Sequence, residues 1–347
     1  MKIRVGIVGA GANTKLRHIP GLQAIKDVEI VSVCNRSRES AERVAKEFGI
    51  PKVYDRWEDL VAGKEIDAIV IGTWPYLHCP VTLATLAAGK HVLTEARMAM
   101  DATEARAMLA AAQAHPKLVT QVVPAPFTLR VDRTVQRLLA EGYVSDVLAV
   151  EVRVSTGFLD PSAPLSWRQD RKLSGLNMMM LGIWYEQVMR WVGRATRVMA
   201  AGKVFVKHRR DATGKLRQVS IPEHLNVIAD LPAGGQLHML VSSVAGLAGP
   251  AEAFVFGTEG TLRFCGEKLF GGKRGEKELR EIPIPATEEG RWRVEEEFIG
   301  AIRGTETVKL TTFADGVKYM EFTEAVARNI ESGSALVSVG SSATLRA

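Results

Sequence analysis

The sequence predicts an α/β protein: a doubly wound parallel sheet first, then an α+β domain built on a predominantly antiparallel open sheet. Three observations lead there. The first 123 residues alternate short apolar runs with helical patterns. After Pro124-Ala125-Pro126 the pattern changes to alternating apolar and polar positions between glycine-rich turns. The length of 347 residues also exceeds one average domain,.

The early apolar runs at 3–8, 28–33, 68–71, 91–94 and 118–123 are the short, near-continuous kind expected of strands covered on both faces,. Helical patterns lie between them at 40–48, 81–88 and 103–114, the last opened by Asp101 as N-cap with Glu104 three residues on,. A parallel sheet with helices on both faces follows from this alternation. Beyond the two prolines come a helix at 129–141 and alternating strands at 147–154, 226–231, 236–242, 253–257 and 261–264,. An apolar helix at 178–192 interrupts them, and helices at 292–302 and 315–330 close the chain.

Apolar residues make up 46% and charged residues 24%, which suits proper globular cores,. The start is too glycine-broken for a secretory signal, and no apolar run approaches the ~18 residues that span a bilayer. Cys34, Cys79 and Cys265 are too widely spaced for a zinc site or disulfide framework, and a reducing cytoplasm is the expected compartment,. The net charge of +6 is scattered and mixed with acids, so neither nucleic acid nor membrane is an expected partner,. There is no His-Glu-x-x-His helix, Tyr-x-x-x-Lys, Walker A or Gly-x-Ser-x-Gly, and no metal is expected,.

Gly9-Ala10-Gly11-Ala12-Asn13-Thr14 follows the first strand and opens a helix. Glycines there allow a tight turn and let backbone N–H groups approach a pyrophosphate. The third glycine is absent, Asn13 or Thr14 standing in its place. The second strand ends Cys34-Asn35-Arg36-Ser37-Arg38, without the acid that holds the ribose 2′-hydroxyl of NAD,. Asn35 does not repel a 2′-phosphate, and Arg36 and Arg38 are candidates to pair with one. NADP is the expected cofactor and NAD the alternative, in which case the arginines are solvent charges flanking a helix.

Gly72-Thr73-Trp74-Pro75-Tyr76-Leu77-His78 and Ala87-Ala88-Gly89-Lys90-His91-Val92-Leu93-Thr94-Glu95 follow in order. With Trp167-Arg168, Ser174-Gly175, Gly257-Thr258-Glu259-Gly260 and Thr312-Phe313-Ala314-Asp315-Gly316, the chain resembles the Gfo/Idh/MocA family over nearly its whole length. The resemblance implies a Rossmann NAD(P)-binding domain at 1–123 and an α+β substrate-binding and oligomerisation domain at 124–347. In that arrangement the last helix packs back on the first domain. It also implies a small-molecule sugar or polyol substrate, a homodimer or homotetramer, and cofactor contacts from Thr73, Trp74, His78 and Glu95.

Three departures accompany the likeness. Family members usually read Glu-Lys-Pro, whose lysine binds the reacting hydroxyl, where this chain has Glu95-Ala96-Arg97. Their Asp-x-Gly-x-His helix aligns on Gly182, placing Met180 and Trp184 at the acid and the histidine. Gln121 through Phe127 carries Pro124 and Pro126 where polar side chains are usual. Alanine moves no proton and arginine holds its own too tightly. Proton donation then falls to Tyr185, Glu95, His78, Glu186 or water, each with a structural alternative. Arg97 is a candidate anion anchor, and Trp167, Arg168, Trp184 and Met180 are candidate substrate contacts. Three functions remain open: NADP-dependent hydride exchange with a carbonyl or secondary alcohol of a sugar, polyol or less polar molecule; a redox-neutral glycoside-modifying enzyme with retained cofactor; or a non-catalytic NADP-binding sensor or assembly protein.

Overall fold

The computed structural model describes residues 2–333 and 337–339, so the end of the second expected domain lies outside the described residues. The chain divides into two compact units. One comprises the chain through Pro124 with Lys172–Gly175 and Arg293–Met320; the other holds Ala125–Arg171, Leu176–Trp292 and the chain from Glu321 onward.

The first unit opens with β1 (Ile3–Val8), a π-turn at Thr14–His18, α1 (Ile19–Gln23) and β2 (Val28–Cys34). Then come α2 (Arg38–Phe48), β3 (Lys52–Tyr54), α3 (Trp57–Ala62) and β4 (Ala68–Ile71). After these run α4 (His78–Ala87), β5 (His91–Thr94), α5 (Ala102–Ala114) and β6 (Thr120–Val122). The strands form one parallel sheet in the order β3-β2-β1-β4-β5-β6. Ile3, Val5, Ile7, Ile69 and Ile71 are fully buried, as a doubly covered parallel sheet requires,. Asp101 caps α5 as expected, its carboxylate accepting from the Glu104 amide at 2.9 Å,. Beyond the expected elements, the structure adds the three-residue edge strand β3 and the single-turn helix α3.

The second unit contains α6 (Asp132–Ala140), β7 (Val147–Ser155) and, after the short α7 (Arg171–Ser174), which belongs to the first unit from Lys172 on, α8 (Leu181–Val192). Then come β8 (Arg197–Lys203), a small hairpin of β9 (His208–Arg210) and β10 (Leu216–Gln218), β11 (His224–Asp230) and β12 (Gln236–Ser242). The sheet is completed by β13 (Glu252–Gly257), β14 (Gly260–Cys265), β15 (Lys268–Lys273), β16 (Arg280–Ile282) and, last among the described residues, β17 (Val337–Ser338). Its order is β16-β15-β14-β13-β7-β12-β11-β8-β17, antiparallel except where β7 meets β12. Residues alternate between a buried and a more open face, as in Val150, Val152 and Val154 against Glu151 and Arg153,. The Gly257-Thr258-Glu259-Gly260 turn is structural: a Cβ on Gly257 would fall 2.2 Å from the Val144 carbonyl oxygen.

Two helices, α9 (Val294–Arg303) and α10 (Phe313–Ser332), precede β17. Thr312 caps α10, its hydroxyl accepting from the Asp315 amide at 3.1 Å,. Gly316 leaves room for Met98, whose sulfur would lie 2.4 Å from any Cβ there. No described helix is long and apolar enough to cross a membrane.

Candidate active site

The loop after β1 and the loop after β4 touch along their backbones. Gly9 has φ +86°, and a Cβ on it would come within 2.5 Å of Thr73. A Cβ on Gly72 would fall 2.2 Å from the Gly9 carbonyl oxygen. Glycine is therefore required at both positions. Thr14 closes the loop by donating its hydroxyl to the Gly9 carbonyl at 3.2 Å. The helix then begins as a π-turn, in which the Ile19 amide reaches back to the Thr14 carbonyl. Pro20 supplies the reason: it has no N–H to continue an α-ladder, and its ring crowds the preceding turn,.

The end of β2 lies beside this loop. Asn35 accepts from the Ala10 amide at 2.7 Å and donates to the Ser40 hydroxyl at 3.1 Å, so its side chain ties the glycine loop to α2. Arg38 is held by Glu42 at 2.8 Å and Asp55 at 2.9 Å. Arg36 has no ion pair among the described residues; its guanidinium lies 5.2 Å over the Trp74 ring,. Gly9, Gly11, Asn35, Arg36, Thr73 and Trp74 all line one cleft of about 700 Å³. That volume, the bare glycine backbone and an exposed cation over an aromatic ring fit a dinucleotide. Ala12 is exposed in the first turn of the same loop.

Glu95 follows β5 at the carboxyl edge of the sheet, where open α/β sheets bind ligands,. Its Oε1 accepts from the Asn13 amide at 2.5 Å and faces His18 Nε2 at 3.1 Å. Its Oε2 accepts from the Ala96 amide at 3.2 Å. His18 Nδ1 faces Glu295 of α9 at 2.5 Å. An imidazole between two carboxylates serves both only when both nitrogens carry hydrogen. Burial opposes that charge, but the hydrogen bonds to Glu295 and Glu95 outweigh it and raise the His18 pKa to about 9,. Burial pushes the Glu95 carboxyl upward, and the bonds and charge of His18, with Asn13, overcome this and hold it below its usual range. His18 and Glu295 side chains are 0% and 4% exposed, whereas Glu95 retains 14%.

Neither His18 nor Glu295 was legible as a site residue. A lone histidine one turn past a glycine loop is the only local signal, and its partners stand 77 and 277 residues away.

Other expected residues sit differently. His78 is fully buried, its nitrogens facing the Thr73 and Arg97 carbonyls at 3.0 and 2.9 Å. Burial lowers its pKa, so a neutral ring donates to one of these and links the loops after β4 and β5 rather than serving substrate,. Arg97 is 5% exposed, buried within the first unit. A Cβ on Gly175 would fall 2.2 Å from the Met100 carbonyl oxygen, which accounts for the Ser174-Gly175 landmark sterically.

In the second unit, Tyr185 is 0% exposed and its hydroxyl accepts from the Ala195 amide at 2.8 Å. Its ring stacks on Phe322, and burial drives its pKa far above the usual phenol range. This corrects the expectation of a proton-donating tyrosine. Trp184 is also core, stacked on Phe127 at 5.7 Å and tilted against Phe264 at 6.2 Å, which leaves no face for a substrate. Glu186 is buried, both oxygens 3.2 Å from the Ala125 amide. Met180 is the half-buried N-cap of α8. Arg168 lies 4.3 Å over the Trp167 ring, and burial lowers its pKa.

Comparison with known proteins agrees with this architecture. The Gfo/Idh/MocA oxidoreductase family, described as having an NAD-binding Rossmann fold, matches residues 3–122, and its C-terminal domain matches 133–263. The chain is 26% identical to trans-1,2-dihydrobenzene-1,2-diol dehydrogenase of Mus musculus, over 75% of this chain and 74% of that one. It is 28% identical to glucose-fructose oxidoreductase domain-containing protein 2 of Xenopus laevis, over 79% and 71% respectively. A levoglucosan dehydrogenase solved with NADH and L-sorbose superimposes with a TM-score of 0.84 at 21% identity, covering 97% of this chain and 99% of that one. The chain belongs to the Gfo/Idh/MocA family of NAD-binding oxidoreductases.

Proposed function

We propose that the protein is an NADP-dependent oxidoreductase acting on a secondary alcohol or carbonyl of a cyclic polyol or less polar diol, with Glu95 exchanging the proton. The observation that carries the cofactor reading is the end of β2. Asn35 is engaged by Ala10 and Ser40, Arg38 by two acids, and Arg36 lies over Trp74 without a carboxylate partner among the described residues. A 2′-phosphate gives that guanidinium a charge-assisted partner, and no acid from β2 opposes it.

When bound, the dinucleotide supplies or accepts the hydride. Glu95, ionised and partly open, accepts the hydroxyl proton as an alcohol is oxidised and returns it on reduction,. Asn13, His18 and the Ala96 amide fix its carboxylate. The substrate class is supported by relatives whose names specify a dihydrobenzenediol and levoglucosan, both ring compounds.

Self-association as a homodimer or homotetramer is part of this reading. Met199 and Ile228, a cross-strand pair on the open sheet face, are 36% and 37% exposed, and Phe254 stacks on Phe256 along the same face,.

The test is turnover with NADP and NAD on trans-1,2-dihydrobenzene-1,2-diol, levoglucosan, L-sorbose and a polyol panel. NADP-linked turnover of at least one compound is expected. Tight nucleotide binding with no turnover across the panel overturns the catalytic assignment.

A further inference from the structure

We infer that His18 is a positioning residue: clamped by Glu295, it holds the Glu95 carboxylate in one orientation and in its ionised, proton-accepting form. The inference rests on the proposed role of Glu95 and adds the residues that make that role workable.

The argument is geometric. Glu95 Oε1 is met by Asn13 and His18, and Oε2 by the Ala96 amide, so the carboxylate is bound at both oxygens. Of these partners, only His18 brings positive charge. It is fixed in turn by Glu295 from α9, while Gly21 of α1 closes over that acid: a Cβ there would lie 3.0 Å from the Glu295 carboxylate. The charged groups bonded to His18 are thus Glu95 from the end of β5 and Glu295 from α9, while the neutral His78 ring of α4 lies near Glu95 with its nitrogens on the Thr73 and Arg97 carbonyls. Glu295 is closed off and Glu95 is not, so the chain of three runs from the core to the sheet edge.

The family's usual lysine would place a cation beside this acid at position 96, and alanine supplies none. His18 approaches from the opposite strand loop. It does not replace the lysine as a substrate contact, being fully buried. Its effect is on the carboxylate: a buried acid left without its cation takes up a proton and ceases to be a base. Loss of the His18 proton leaves one ring nitrogen facing a carboxylate as acceptor against acceptor, which releases Glu95.

The test uses the full chain with NADP and trans-1,2-dihydrobenzene-1,2-diol, or whichever panel compound turns over. The His18→Gln variant keeps an amide donor but no titratable charge. Its oxidative kcat is expected to fall about 10- to 100-fold with KM changed less than about threefold. The wild-type alkaline limb near pH 9 should disappear with it. Glu95→Gln separates the two readings. If it leaves kcat unchanged, the role of Glu95 itself fails; if it removes turnover while His18→Gln retains both kcat and the alkaline limb, only the present inference fails. A second readout needs no turnover or variant that folds poorly: histidine-labelled wild-type protein followed by NMR. A His18 ring that titrates near 9 and stays protonated at neutral pH supports the inference. Titration at the ordinary value near 6.5 overturns it.

Discussion

Each unit buries a cluster of ionisable side chains, and the two clusters end differently. In the first, Glu295, His18 and Glu95 lead outward to a carboxylate that keeps 14% of its surface. In the second, Asp132 faces Arg190 at 3.3 Å and accepts from the Trp191 indole at 2.7 Å, while Arg190 stands 3.8 Å from Glu186. Arg190 also donates to the Ala125 carbonyl, and Glu186 accepts from the Ala125 amide. All three charged groups are at most 8% exposed, and their bonds end on main chain, the Thr128 hydroxyl and the indole. Burial therefore does not by itself identify a functional site. What separates the clusters is whether the last polar atom is spent on the fold or remains available at an edge.

Breaking each cluster should produce opposite signatures. Glu95→Gln is expected to reduce turnover by about 10²- to 10⁴-fold, measured as kcat with the variant's thermal midpoint as control. Asp132→Ala should instead cost about 3–5 kcal/mol in denaturant unfolding, because it strands Arg190 and the Trp191 N–H,. Its activity per folded molecule should remain near that of the wild type. If the two signatures were exchanged, the comparison would be wrong.

The pH dependence sharpens the same contrast. The folded His18 pKa lies above its unfolded value, so its stabilisation is complete below about 6.5 and is lost as pH rises through about 9,. Between those limits the wild type should lose up to about 3 kcal/mol that His18→Gln does not lose, read by urea unfolding at fixed ionic strength,. The Glu95 carboxyl is depressed, so its share is present above the ordinary carboxylate pKa and fades only on acidification,. Equal alkaline slopes for wild type and variant would remove His18 from the ion pair.

The smallest effect concerns the helix first expected to carry the chemistry. Tyr185→Phe leaves the Ala195 amide without its acceptor and should cost about 1–2 kcal/mol with kcat unchanged,. A selective loss of kcat would restore the tyrosine to the reaction.

Much of the fold was legible because its signals are local. The apolar runs of β1, β4 and β5, the Asp101 cap and the glycine loop each depend on neighbours a few residues away,. Short edge strands such as β3 carry too few residues for a period to emerge. The apolar face around Trp184 was visible, but sequence could not tell a rebuilt pocket from core; stacking on Phe127 and contact with Phe264 resolve it as core. Arg36 and Arg38 read alike in sequence, and only the reach of Asp55 and Glu42 to Arg38 separates them. His18 was illegible because its meaning lies in acids brought to it by β5 and α9.

The cofactor assignment is tested most directly by calorimetric titration of NADPH and NADH into wild type and Arg36→Ala. Wild type should bind NADPH at least about tenfold more tightly, and Arg36→Ala should lose about 10- to 100-fold for NADPH while changing little for NADH. Equal affinities in the wild type, or an equal loss for both nucleotides in the variant, would contradict a 2′-phosphate site at Arg36.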